Sequence, residues 1–540
     1  FAGRALEMTL GSALRQGVRI VTNAGGLNPE GCAAAIARLA VGLGLKPRIA
    51  TILGDDLQDS EAAIRAQGCR DLATGESLPE ALASITAYTG ALPIAQALAG
   101  GADVVIAGRA VDSALVLGPL IHEFGWSVND YDRLAAGSVL GHIIECGAQA
   151  AGGLFTDWRD VPDWTEASFP IAECHADGTG VITRVAGSGG LVCFGNVAEQ
   201  TTYEIGDPQR YLLPDVTCDL SNVRLEQVGP DRVKVSGVKG YPPTATYKAT
   251  AINADGWRAT VSFLLRGLEA DAKAARVAES IIRRTELRLR DCNMGPWKAT
   301  HIELIGGAQS LGGPPLPVDL REVVCRMVVD HDQREAVEMF LGAQRAVSVA
   351  MAPGIATVPL GSTATPVYRI HSFLLPKEQV ALTVNVDGAA SVCQVPTQGG
   401  LDAADITANS PLPQAEPADD MPRVPLVALA WGRSGDKGDM SNISIIARKP
   451  EYATWIKASL TCDAVAQWFA HLTKDGTPPR TVRHELPGLH AFNFLLDAVL
   501  GGGGSASVRV DPMGKALAQQ LLDFPIAVPD QIASQITRPS

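Results

Sequence analysis

The chain lacks the marks of a disulfide-built, membrane-spanning or nucleic-acid-binding protein. Its 10 cysteines are scattered singly, with no C-x-x-C and no paired spacing. That usage fits free thiols in a reducing cytoplasm and not a disulfide framework. Lys and Arg (45) are outnumbered by Asp and Glu (58), for a net charge of −13, and no stretch clusters the basic residues over several turns. Nucleic acids and anionic membrane surfaces both need a basic footprint, so neither is an expected partner. No apolar run reaches membrane-spanning length without Gly, Pro or charge; the nearest, 91–107, holds Pro93, Gly100, Gly101 and Asp103. Residues 1–17 carry Arg4, Glu7 and Arg15 and do not read as a signal peptide. No internal repeat occurs, and no G-x-S-x-G elbow from which a Ser/His/Asp triad could be argued.

What is present is a pattern repeated three times between Gly17 and Asp112: an apolar β-rich run, a polar or glycine-rich turn, then a helical stretch. The runs are 17–22, 48–53 and 103–107. Short Val/Ile runs without alternation are strands buried on both faces, and helices between them imply parallel crossovers. With 540 residues and 46% apolar content the chain is expected to form two to four domains. The fold class is α/β, with a Rossmann-like parallel sheet in 1–160. An α+β region follows in 161–408, with a β meander over 223–265 turning at Gly229-Pro230 and Asp255-Gly256. Helices are expected there over 269–289 and 332–350. Five prolines in 17 residues make 409–425 a linker. Beyond it, 426–540 reads as a ferredoxin-like α+β module. Its expected parts are a loop over 433–442, a helix over 452–471, a strand over 480–486, a helix over 490–500 and a strand over 506–510.

In wound sheets ligands bind outside the carboxyl ends of the strands, so the polar turns are the first candidates. Asn23, Gly25 and Gly26 precede a helix opened by Asn28-Pro29; the turn cradles an anion or is an ordinary βα turn. It is neither G-x-G-x-x-G nor a Walker loop. Asp55 and Asp56 end the second strand and could move a proton, with one of them capping the next helix. Arg109 and Asp112 follow the third strand; the first could clamp a carboxylate or phosphate and the second orient it. His142, Glu145 and Cys146 lie at i, i+3 and i+4, one face of a helix, and are candidate catalytic groups. Ser188, Gly189 and Gly190 form a second anion cradle, and Arg433, Ser434 and Lys437 a third. No metal site is assigned.

Several of these stretches resemble one family. The carriers are Val21-Thr22-Asn23-Ala24-Gly25-Gly26-Leu27-Asn28-Pro29, Gly54-Asp55-Asp56, the run from Gly101 to Arg109, and Gly141-His142-Ile143-Ile144-Glu145-Cys146-Gly147. Tyr203-Glu204, Tyr211-Leu212-Leu213-Pro214-Asp215-Val216, Arg433-Ser434-Gly435-Asp436-Lys437-Gly438-Asp439 and His484-Glu485-Leu486-Pro487 extend the likeness. The chain is similar to the acyclic terpene utilisation AtuA family, with its attached ferredoxin-fold domain. Members usually begin with an upstream glycine-rich strand–loop segment; the chain starts at Phe1 without it, so a site assigned here is expected to lack one wall. The resemblance implies a part in the breakdown of citronellol- and geraniol-type terpenes, in company with acyl-CoA carboxylases, hydratases and dehydrogenases.

The expected function is therefore a cytoplasmic enzyme, a lyase or hydratase, acting on a 3-hydroxyacyl-CoA by hydration/dehydration or carbon–carbon cleavage. The coenzyme A moiety belongs to the substrate, and the size suggests a homo-oligomer. Two alternatives stand beside it: a non-catalytic CoA-binding subunit of an acyl-CoA carboxylase complex, and a metal-dependent hydrolase using the acidic pair.

Overall fold

Short β-branched runs form the strands of the N-terminal region: β1 (Ile20–Thr22), β2 (Ile49–Leu53), β3 (Ser84–Ala87) and β4 (Val104–Ala107). A computed structural model describes residues 3–306, 321–343, 351–357, 362–401, 411–418 and 420–536. Every residue of β4 is buried, because it runs between two parallel neighbours. Ile20 of β1 lies opposite Val104 on one side, and Ile49 of β2 opposite Val104 on the other. The parallel sheet expected from the sequence is thus present. A hairpin from far downstream, Leu382–Val386 and Ala389–Cys393, completes it antiparallel against β2.

β3 leaves that sheet and pairs with the long strand Thr246–Arg266. The regions on either side of residue 160 therefore share sheets, and one hydrophobic core runs from Ala50 to Ala491. The Asp255-Gly256 turn expected in the meander is not a reversal. It lies inside that 21-residue strand, where the pairing register shifts between Ala254 and Trp257. A bulge carries the chain from one set of partners to the next, and Gly256 takes a φ of 92° there. The helix Ala270–Asp291 packs its apolar stripe against this sheet. The helix expected over 332–350 is described as Arg334–Ala343; 344–350 lie outside the described residues.

The C-terminal module is a four-stranded antiparallel sheet in the order Ala430–Lys437, Met440–Ala447, Ala491–Leu496, Thr481–Leu486, backed by helices. Four expectations change. The polar stretch 433–442 is a tight hairpin, not a loop, because its polar residues are buried against the main body. The expected helix over 490–500 is the strand Ala491–Leu496, a continuous apolar run paired on both sides. No strand forms over 506–510. The expected helix over 452–471 breaks at Leu460, and Thr461 caps the next one by accepting from the Ala464 amide at 3.1 Å. Within the proline-rich linker, 409–410 and 419 lie outside the described residues. Leu412 is docked: its amide donates to Glu485 Oε2 at 2.7 Å and its carbonyl accepts from Lys457.

Module and body meet through buried polar groups. Asn442, Ser444 and Asn493 are fully buried. Asn442 and Ser444 donate to the Thr202 carbonyl, and Asn493 to those of Ile205 and Gly206. These side chains satisfy the carbonyls at and just beyond the end of the helix Phe194–Thr202, which would otherwise be orphaned.

Candidate functional site

A cavity of about 580 Å³ opens where the carboxyl end of β4, the segment after the helix Tyr131–Ile144, the turn around Glu204 and the long strand converge on the module. Its size is that of a small-molecule site. Leu72, Val111, Leu212, Leu213, Pro214 and Leu374 give it an apolar wall. Facing that wall are Arg109, Asp112, His142, Glu145, Glu204, Arg210, Tyr211, Lys248 and Lys437.

The helix Tyr131–Ile144 delivers His142 and, just past its end, Glu145. His142 is buried, its ring centre 5.7 Å from that of Tyr211 in an edge-on contact and its Nε2 without a polar partner. Burial, helped by Lys437, pulls it down to about 4, so it is neutral at pH 7. Burial pushes the Glu145 carboxyl up, and Asp112 and Glu204 push it further; the Cys146 thiol, donating to Oε1 at 3.1 Å, works in the opposite sense. That thiol is itself pushed up to about 12 by burial and by Glu145. Cys146 donates a hydrogen bond to Glu145, and burial beside that carboxyl disfavours its thiolate.

Glu204 sits in the left-handed region (φ 54°), its amide donating to Asn442 Oδ1 at 2.9 Å. The module thus fixes this turn and adds two cations to it: Lys437 Nζ is 3.7 Å and Lys515 Nζ 3.2 Å from the Glu204 carboxylate. Burial raises Glu204 while Lys437 draws it back. Arg109 donates to the Tyr88 hydroxyl and covers its ring at 4.3 Å.

Several sequence candidates lie elsewhere. Asp55 is buried under the strand ends: its Oδ2 accepts from the Arg109 amide at 2.5 Å and its carbonyl from the Ala87 amide at 2.9 Å. It staples β2, β3 and β4, and Gly108 has no Cβ because Asp55 Oδ2 would stand 2.2 Å from it. Asp56 accepts from the Gln58 amide at 3.0 Å and shapes the next turn. Neither lines the cavity. At the turn of Asn23, Gly25 and Gly26 the amides of Ala24, Gly26 and Asn28 are spent on Thr22, Asn23 and Gly25, and none of the three candidates lines the cavity. Asn23 reaches the site indirectly, donating to Asp112 Oδ1 at 3.1 Å. At the second cradle the amides of Ser188, Gly189 and Gly190 bond to the carbonyls of Val185, Glu166 and Asp163, and none of the three lines the cavity. Arg433 and Ser434 are interface residues: Arg433 donates to the Leu154 carbonyl and to Gln149, and Ser434 Oγ accepts from the Ala518 amide. Of that loop only Lys437 reaches the cavity.

The sequence reading singled out neither Tyr88 nor Lys248. A lone lysine in the apolar strand Thr246–Arg266 offers no spacing to detect, and the only hint was the charge itself. Glu204 and Tyr211 stood in recognisable motifs, but nothing local marked them as cavity residues.

Fold and site define a two-part α/β protein with a small-molecule cavity at the junction of body and module. The chain belongs to the acyclic terpene utilisation (AtuA) family: the sequence model of "acyclic terpene utilisation family protein AtuA" matches residues 2–386, and that of the "AtuA ferredoxin-like domain" matches 424–527. The family is implicated in acyclic terpene utilisation. Neither a curated protein nor a solved structure matches it. Among the described residues no helix is long and apolar enough to cross a membrane, and no group of three or more His, Cys, Asp and Glu is placed to hold a metal ion.

Proposed function

We propose that the cavity is the active site of a lyase or hydratase acting on a branched 3-hydroxyacyl-CoA, with Glu145 as the proton-transferring group. The observation that carries this reading is the placement of Glu145. It is a carboxyl raised by burial, it opens on the same cavity as Arg109, Lys248 and Lys437, and it faces an apolar wall suited to an acyl chain. A general base or acid works best when its pKa lies near the working pH, and burial moves Glu145 that way.

Both candidate reactions need these parts and no redox partner. In dehydration a proton leaves the carbon beside the thioester and passes to the base; the hydroxyl on the next carbon departs with a proton as water. In carbon–carbon cleavage the base takes the hydroxyl proton, the bond between the two carbons breaks, and the thioester fragment takes up a proton. Negative charge develops on the thioester oxygen in each, and cations beside the cavity stabilise it. His142 lines the cavity as a neutral ring, its Nε2 buried and without a polar partner.

The test is incubation of the full chain with branched 3-hydroxyacyl-CoA thioesters, read by mass spectrometry for loss of water or for cleavage. Glu145→Gln is expected to reduce turnover by about 10²- to 10⁴-fold at unchanged melting temperature. Full turnover by that variant, or none by the native chain, overturns the reading.

A further inference from the structure

Three cations reach the cavity from separate parts of the chain: Arg109 after β4, Lys248 on the long strand and Lys437 from the module. The first two flank one ring, with the Arg109 guanidinium carbon 4.3 Å and Lys248 Nζ 5.6 Å from the centre of Tyr88. The Tyr88 amide donates to the Lys248 carbonyl at 2.9 Å, which fixes strand and ring together. Among the described residues neither Arg109 nor Lys248 forms an ion pair. The acid that acts on Lys248, Asp71, gives its oxygens to the amides of Ala73, Thr74 and Ser372. Lys437 shares Glu204 with Lys515. Burial, Lys437 and Arg109 together hold the Lys248 ammonium below the ordinary lysine range, because the cations repel one another across the cavity. An anion among them would relieve that repulsion.

The surroundings select the anion. Leu72, Leu212 and Leu374 stand at the mouth, 56%, 49% and 50% exposed, with Leu213 and Pro214 further along the wall. Neither glycine-rich turn that could wrap a phosphate lines the cavity, and the amides of Ser188, Gly189 and Gly190 are spent on backbone carbonyls. An arginine fork with two flanking lysines suits the planar two-oxygen geometry of a carboxylate.

We infer that Arg109, Lys248 and Lys437 form the seat of a free carboxylate carried by an apolar branched chain, so that the ligand is an acid or a carboxylate-bearing acyl thioester and not a neutral alcohol. The inference rests on the cavity being the substrate site. Isothermal titration of the full chain with citronellic acid, citronellol and inorganic phosphate tests it. The acid is expected to bind, the alcohol at least about tenfold more weakly, and phosphate to leave the bound acid in place. Arg109→Met and Lys248→Met should each weaken the acid by about tenfold or more at unchanged melting temperature, and Arg109→Lys should restore part of the loss. Equal binding of acid and alcohol, displacement of the acid by phosphate, no binding of the acid, or variants that bind like the native chain would each overturn the inference. Acid binding without turnover of any acyl thioester would remove the proposed reaction and leave the seat standing. Turnover of a thioester with no chain carboxylate, with no acid bound, would do the reverse.

Discussion

His142 ends its helix with the ring edge-on to Tyr211 and Nε2 facing no polar partner. Its proton affinity falls from the ordinary 6.5 to about 4 because burial penalises the cation. The sign of the consequence is fixed. The unfolded chain takes up a proton near 6.5 and the folded one resists until about 4, so stability is complete above that window and is lost as pH falls through it. Melting temperatures of the native chain and of His142→Phe, followed across that window, should converge toward acid; parallel curves would contradict the burial. Cys146 makes the opposite case, an acid held protonated. With its thiol pushed up to about 12, it should react with iodoacetamide at neutral pH far more slowly than a free thiol, and Cys146→Ala should retain most turnover. Rapid alkylation there would show a thiolate and restore the nucleophile assignment.

At the scale of elements, the strand-and-turn pattern made the parallel sheet legible, and the turn after β4 led directly to Arg109 and Asp112. The helical spacing of His142 and Glu145 marked both. Sequence misled where the same residue type serves two ends. An aspartate at a strand end looks alike whether it holds backbone or ligand; Asp55 holds the Arg109 amide. Removing it in Asp55→Ala leaves that part-buried N–H without its partner and should cost about 1–3 kcal/mol in denaturant unfolding; an unchanged midpoint would mean the staple is dispensable. Polar stretches misled in the same way: 433–442 read as a loop offering an anion cradle because the partners of Arg433, Gln149 and Leu154, come from far along the chain. The apolar strand Ala491–Leu496 read as helix because a strand buried on both faces has no period to betray it. Tyr88 and Lys248 were invisible since they meet only through the pairing of chain segments some 160 residues apart (248 − 88 = 160).

On the scale of the whole molecule, the module is part of the site. It fixes the Glu204 turn through Asn442, supplies Lys437, and contributes Ile446, Leu486, Leu489 and Ala491 to the core of the body. Body and module should therefore unfold in one calorimetric transition, and Asn493→Leu, which strands the carbonyls of Ile205 and Gly206, should lower it. Two separate transitions would mean the module folds and docks independently. The most direct test of the central claim is proton exchange with solvent. A branched 3-hydroxyacyl-CoA incubated with the full chain in deuterated water should give deuterium at the carbon beside the thioester, in the recovered substrate for dehydration and in the thioester fragment for cleavage, read by mass spectrometry. The account predicts exchange with the native chain and its loss in Glu145→Gln; equal exchange in both, or none in either, would contradict it.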